Sequence, residues 1–189
     1  MKRGILIVPL LAVVLFLKGQ IANNWTFAYH CGLNFSTAPP VFFEDSISDR
    51  FCSSPFQIAA DASNSISDCD GNLLFYTNGK VIWNKNHQLM PNYCLNDSSV
   101  GDGYNQKTKI LKEINNDSLY YIFYATSHWG LRYGIINMNA DNGKGSILST
   151  HNIINYYSLN PAQITKPPEL VKHANDSNYW LVCKPTDKE

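Results

Sequence analysis

Between Asp70 and Trp83 the chain spells out a β-hairpin. Asp70-Gly71-Asn72 is a turn, Leu73 to Thr77 is an unbroken apolar and aromatic run, Asn78-Gly79 is a two-residue reversal, and Lys80 to Trp83 returns. Asn and Gly both tolerate the positive φ of a type I′ turn, whose twist matches that of paired strands. The entering run has no polar alternation, so it is expected to be buried on both faces, as an inner strand of packed sheets is.

The same pattern recurs. Asn116-Asp117-Ser118 leads into Leu119 to Tyr124, Leu131 to Met138 returns, and Asp141-Asn142-Gly143 turns toward Ile147 to Ile154. Asn175-Asp176-Ser177 then opens a third run, Tyr179 to Cys183. Asp70 and Asn116 are 46 residues apart, and Asn116 and Asn175 are 59 apart. That irregular period lies near that of β-propeller blades. Eleven Tyr, nine Phe and four Trp, set in short clusters between Asn, Asp, Gly and Ser, fit an all-β chain. The expected fold is therefore all-β, a partial β-propeller of about two and a half four-stranded blades, with a sandwich built from similar hairpins as the competing arrangement. Asn86 to Gln106 reads as a long polar surface loop, and Tyr156 to Pro168, with Pro161, Pro167 and Pro168, as an extended connector.

The N-terminus carries an address. Met1-Lys2-Arg3-Gly4 precedes thirteen residues from Ile5 to Leu17, apolar but for Pro9, and then Lys18 and small or polar residues. A charged head, a short apolar stretch and a small-residue exit are the regions of a secretory signal, expected as a helix over 1–22. A bilayer span needs about 20 apolar residues, so cleavage is expected ahead of anchoring, and membrane contact only through an uncleaved signal. Residues 23–189 then form an incomplete propeller-like domain that is secreted or held at the cell surface after passing the periplasm.

Charge and motifs exclude several classes. Fifteen basic and fifteen acidic residues cancel, with no basic run to follow a phosphate backbone, so nucleic acid is not an expected partner. There is no H-E-x-x-H, no G-x-S-x-G and no P-loop, and His30, His87, His128, His151 and His173 stand singly. No catalytic residue and no cofactor is expected. Asp68, Asp70 and Asn72 are a weak calcium candidate, since oxygen ligands around a Gly turn can hold that ion, but side chains closing a hairpin turn are the favoured account. Among the five cysteines, Cys52 and Cys69 are the candidate disulfide on nearness alone, with free buried thiols equally compatible. Trp83, Trp129 and Trp180 are candidates for an aromatic surface that stacks on sugar rings or on a partner protein, against core packing.

Several segments, in order, resemble one family. They are Asn23-Asn24-Trp25, Gly32 to Thr37 with Pro39-Pro40, Ser65-Ile66-Ser67-Asp68 leading through Gly71 to Gly79 and on to Trp83-Asn84, Asn86 to Pro91, Gly130-Leu131-Arg132-Tyr133, and Val171 to Asn175 before Tyr179-Trp180. The pattern is similar to the propeller-like N-terminal domain of secreted Bacteroidetes surface proteins, which continue into PKD repeats and a gliding-motility or type IX sorting domain. The resemblance implies an exported surface or secreted binding or adhesion module, its ligand a surface glycan or protein. The alternative is the N-terminal part of an exported propeller enzyme acting on polysaccharide. Propellers close with about 4 to 8 blades, so the chain is expected to be a fragment. The run Tyr179 to Cys183 would then be an open edge that invites self-association.

Overall fold

The computed structural model describes residues 22–27, 31–44, 64–95, 108–126, 130–154, 168–175 and 177–183. All but the last residue of the signal expected over 1–22 lies outside them, and no helix among them is long and apolar enough to cross a membrane. The described chain is all-β, with thirteen strands in four antiparallel sheets.

β1 (Asn24–Phe27), β2 (Cys31–Asn34) and β3 (Val41–Glu44) make the first sheet. β4 (Asn64–Ser67), β5 (Leu73–Thr77), β6 (Val81–Asn84) and β7 (Leu89–Cys94) make the second. β8 (Thr108–Lys112), β9 (Leu119–Thr126), β10 (Gly130–Asn137) and β11 (Ser146–Ile153) make the third, and β12 (Glu169–Lys172) with β13 (Tyr179–Val182) the fourth. Each sheet is a meander in which sequence neighbours pair.

The hairpin between β5 and β6 stands where the sequence places it, but its turn is of another kind. Thr77 pairs with Ile82, so the reversal spans four residues rather than two. Only Gly79 has a positive φ there, at 86°. Asn78 is buried, and its Oδ1 accepts from the backbone N–H of Lys80 at 3.1 Å and of Val81 at 3.0 Å. The Thr77 hydroxyl, bonded to Gly79 N and the Val81 carbonyl, closes the other side. Asn78 thus closes the turn with its side chain, and the left-handed backbone of a type I′ turn is not used.

The expectation of burial on both faces holds for β5, and β6 is buried on both faces as well. Phe75 and Ile82 face the third sheet, where they meet Tyr120, Ile122 and Ile136 in the main core. Tyr76, Val81 and Trp83 face the other way, and the Tyr76 and Trp83 rings stack with centroids 5.2 Å apart. β9 alternates instead, with Tyr120, Ile122 and Tyr124 inward and Tyr121 and Phe123 half-buried against Tyr133. Leu131 on β10 packs against Leu181 and Cys183, which seats the fourth sheet on the third, and Lys109 on β8 pairs with Glu169 on β12 at 2.9 Å.

The polar stretch Asn86 to Gln106 is not a single loop: Leu89–Cys94 is a strand. β7 pairs only with β6 and lies at the sheet edge, where Pro91 costs no ladder bond, and the register slips between Val81 and Trp83. Asn92, at φ 60°, sends its side-chain amide to the Ile147 carbonyl of β11 at 3.3 Å.

The strands that enter the second and third sheets run the same way: their ends, at Ser67 and Lys112, line one cleft, and their starts are bonded. Asn64 at the start of β4 donates from Nδ2 to the Thr108 carbonyl at the start of β8, at 3.1 Å. Asn24 on β1 reaches Ser65, Ser67 and Gly71, which ties the first sheet to β4 and its turn.

Candidate functional site

The turn between β4 and β5 is the hub of two clefts. Asp68 N donates to the Asn72 carbonyl at 2.9 Å, and the corresponding turns of the next two sheets repeat this bond, Glu113 N to Leu119 O at 2.9 Å and His173 N to Asn178 O at 2.8 Å. An Asx side chain closes each turn. Asp68 Oδ1 accepts from Asp70 N and Asn72 N, Asn116 Oδ1 from Ser118 N, and Asn175 Oδ1 from Ser177 N and Asn178 N. Asp68 Oδ2 takes Asn72 Nδ2 at 3.0 Å. Burial acts to raise the Asp68 pKa, but these bonds outweigh it and hold the carboxyl below its ordinary value. Both oxygens of the calcium candidate Asp68 are therefore engaged by the turn's own donors.

On one side of this turn a cleft of about 540 Å3 lies between the second and third sheets. Its apolar floor includes Ile66, Leu74 and Tyr120, and its rim carries Asp68, Lys112 and Asp117. Lys112 Nζ sits 2.6 Å from Asp117 Oδ1. That contact holds the Asp117 carboxyl below and the Lys112 ammonium above their usual values. Burial raises the Tyr120 phenol. The single cation of this described lining is thus already matched by a carboxylate.

On the other side a cleft of about 620 Å3 opens between the first and second sheets. Its walls come from the inner face of the first sheet, the β4–β5 turn at Gly71 and Asn72, and the β6–β7 turn at Lys85, Asn86 and His87. Asn24 builds the back of the junction: its Nδ2 donates to Ser67 Oγ and to the Gly71 carbonyl, both at 2.9 Å, while its Oδ1 accepts from Asn34 Nδ2 at 2.9 Å. Gly71 is required here twice over, by its φ of 86° and because a Cβ would lie 2.6 Å from Asn23 Nδ2. Gly32 lets the Phe43 ring lie across β2, since a Cβ there would strike that ring. The Phe43 and His87 rings stand 6.1 Å apart. Asn84 Oδ1 closes the β6–β7 turn by accepting from Asn86 N at 2.9 Å and Gln88 N at 3.2 Å, and His87 takes a left-handed φ of 60°.

The other sequence candidates scatter. Trp83 is fully buried beside Tyr76 and presents no binding surface, a correction to its place in the aromatic set. Trp180 is 59% exposed on β13, in a different sheet from Trp83, with its ring 5.5 Å from that of His173, and Trp129 lies outside the described residues. Cys69 is a free, exposed thiol, so the Cys52–Cys69 pair suggested by nearness is not made; Cys52 lies outside the described residues. Cys94 on β7 is the disulfide-bonded cysteine of the described set, while Cys31 and Cys183 keep their thiols. Asp70 is exposed at the tip of its turn. Lys85, Phe43, Lys112 and Asp117 were not singled out by sequence; the one available signal was the Asn84-x-x-His87 turn after a buried strand.

In comparisons with protein-family models, with curated proteins and with solved structures, none matches this chain.

Proposed function

We propose that this chain is an exported, non-enzymatic binding module that holds a surface glycan between successive sheets of a propeller-like stack. The observation that carries the reading is the pair of clefts flanking the Asp68–Asn72 turn. Each falls within the roughly 300–1,000 Å3 range of small-ligand sites and each combines amides or hydroxyls with an aromatic ring, the pairing that sugar recognition needs. The like direction of β4 and β8, with the repeated Asx-closed turns, supports successive blades for the second and third sheets. The Lys2-Arg3 head with the Ile5–Leu17 run supports export, and the ordered motifs from Asn23 to Trp180 support kinship with the surface proteins they resemble.

A glycan array probed with the chain freed of residues 1–22, followed by titration calorimetry on any hit, tests the proposal. Saturable binding to at least one oligosaccharide is expected, without turnover. Absence of binding across neutral, acidic and amino-sugar glycans would remove it.

A further inference from the structure

Resting on the glycan reading above, we infer that the cleft between the first and second sheets takes a carboxylate-bearing sugar, with Lys85 and His87 as its charge partners. The described lining of this cleft holds these two nitrogen bases and no carboxylate. The remainder is amide, hydroxyl, apolar or backbone, including Asn34, Ser36, Thr37 and the Phe43 ring. Lys85 is exposed and makes no ion pair among the described residues, in contrast to Lys109, Lys112 and Lys144, each of which has an acidic partner within 4 Å. An ammonium without an acidic partner among the described residues, beside a concave, amide-lined wall, is an anion site by charge complementarity.

The His87 ring adds direction. Its Nδ1 lies 3.1 Å from the Tyr76 hydroxyl, and Tyr76 is fixed by its stack on buried Trp83. When that hydroxyl donates to Nδ1, the ring proton sits on Nε2, which then donates to an incoming acceptor. Asp68, in the turn that supplies Gly71 and Asn72 to this cleft, lines the opposite cleft and is bonded to its own turn. A pyranose presents an apolar ring face, which Phe43 can meet, together with hydroxyls for Asn34, Ser36 and Thr37. A carboxylate on that ring satisfies Lys85 and His87, which a neutral sugar leaves unused.

The test uses matched probes that differ only in the acid. Oligogalacturonate is compared with its methyl ester, and sialyllactose with its methyl ester, by calorimetry on the chain freed of residues 1–22. At least one acid form is expected to bind about tenfold tighter than its neutral match, with a preference that weakens as salt rises. Lys85→Gln should abolish most of that preference, and His87→Asn should reduce it. Asn keeps the left-handed backbone, and thermal melting verifies that both variants fold. Lys144→Gln, which removes a surface cation elsewhere, should leave it unchanged. Equal affinity within both pairs, or a preference that survives Lys85→Gln, overturns the inference while glycan binding stands; failure of every sugar to bind overturns the inference together with the reading beneath it.

Discussion

The second sheet meets its two neighbours by different chemistry. Toward the third sheet it presents Ile66, Phe75, Ile82 and Met90, which close with Tyr120, Ile122, Tyr124 and Ile136 into one apolar layer. Where β4 and its turn meet the first sheet, the contact is made by a hydroxyl and a carbonyl: the side chain of Asn24 on β1 donates to Ser67 and Gly71 and accepts from Asn34 of its own sheet. Apolar packing is non-directional and fills space. A hydrogen-bonded junction instead holds a few points and leaves room between them, and the larger of the two clefts, lined by Lys85, lies there.

The strongest way to break the comparison is to hollow the apolar side. Phe75 has no exposed surface and meets Tyr120 edge-on, with centroids 5.5 Å apart. Phe75→Ala should cost about 3–5 kcal/mol, read by urea unfolding. Phe42→Ala, on the exposed outer face of β3, should stay within about 0.5 kcal/mol. Equal losses at the two positions would mean that the apolar layer is not what holds these sheets.

The polar side should yield next. Asn24 is 4% exposed, and removing its amide leaves Ser67 Oγ and the Gly71 carbonyl without their donor. Asn24→Ala should cost about 1–3 kcal/mol and should also weaken ligand binding at the neighbouring cleft. If stability falls by less than about 0.5 kcal/mol, the first sheet is held by other contacts and the contrast between the junctions loses its basis.

How much of this could be read from the chain follows from whether the determinant was local. The β5 and β6 runs were legible because a strand buried on both faces has no polar positions, and Phe75 with Tyr76 shows that directly. The turn type was misjudged because Asn-Gly fits both a left-handed backbone and an Asx-closed turn, and only burial of Asn78 selects the second. β7 was hidden by Pro91 and Asn92, residues that mark a loop unless the strand lies at an edge. The N-D-S triplets were legible as turns, and they prove to be equivalent positions in successive sheets. The clefts were not legible. Lys85 stands more than 40 residues from Phe43 in the chain, and no local pattern places a turn of the second sheet over the inner face of the first. Nor does composition distinguish an inward from an outward aromatic on a strand with no polar alternation, so the burial of Trp83 is not legible in the sequence.

The smallest expected effect concerns the hub that both clefts share. The Asp68 carboxyl is held below its ordinary value of 3.8, so the unfolded chain takes up its proton at a higher pH than the folded one does. Stability from this group is therefore complete above that value and is lost as pH falls through the folded pKa. Asp68→Asn removes the charge while keeping an oxygen acceptor, so at pH 7 the variant should be slightly less stable than the parent chain. The gap should close as pH falls below about 3.8. Asp117, held low by Lys112, titrates in the same window, so the quantity to measure is the difference between parent and variant by urea unfolding at pH 7, 4 and 3. A gap that is constant with pH would show that the turn needs only an acceptor at position 68. Asp68 would then be equivalent to the neutral Asn116 and Asn175 of the next two sheets, and the charge at the hub would serve neither cleft.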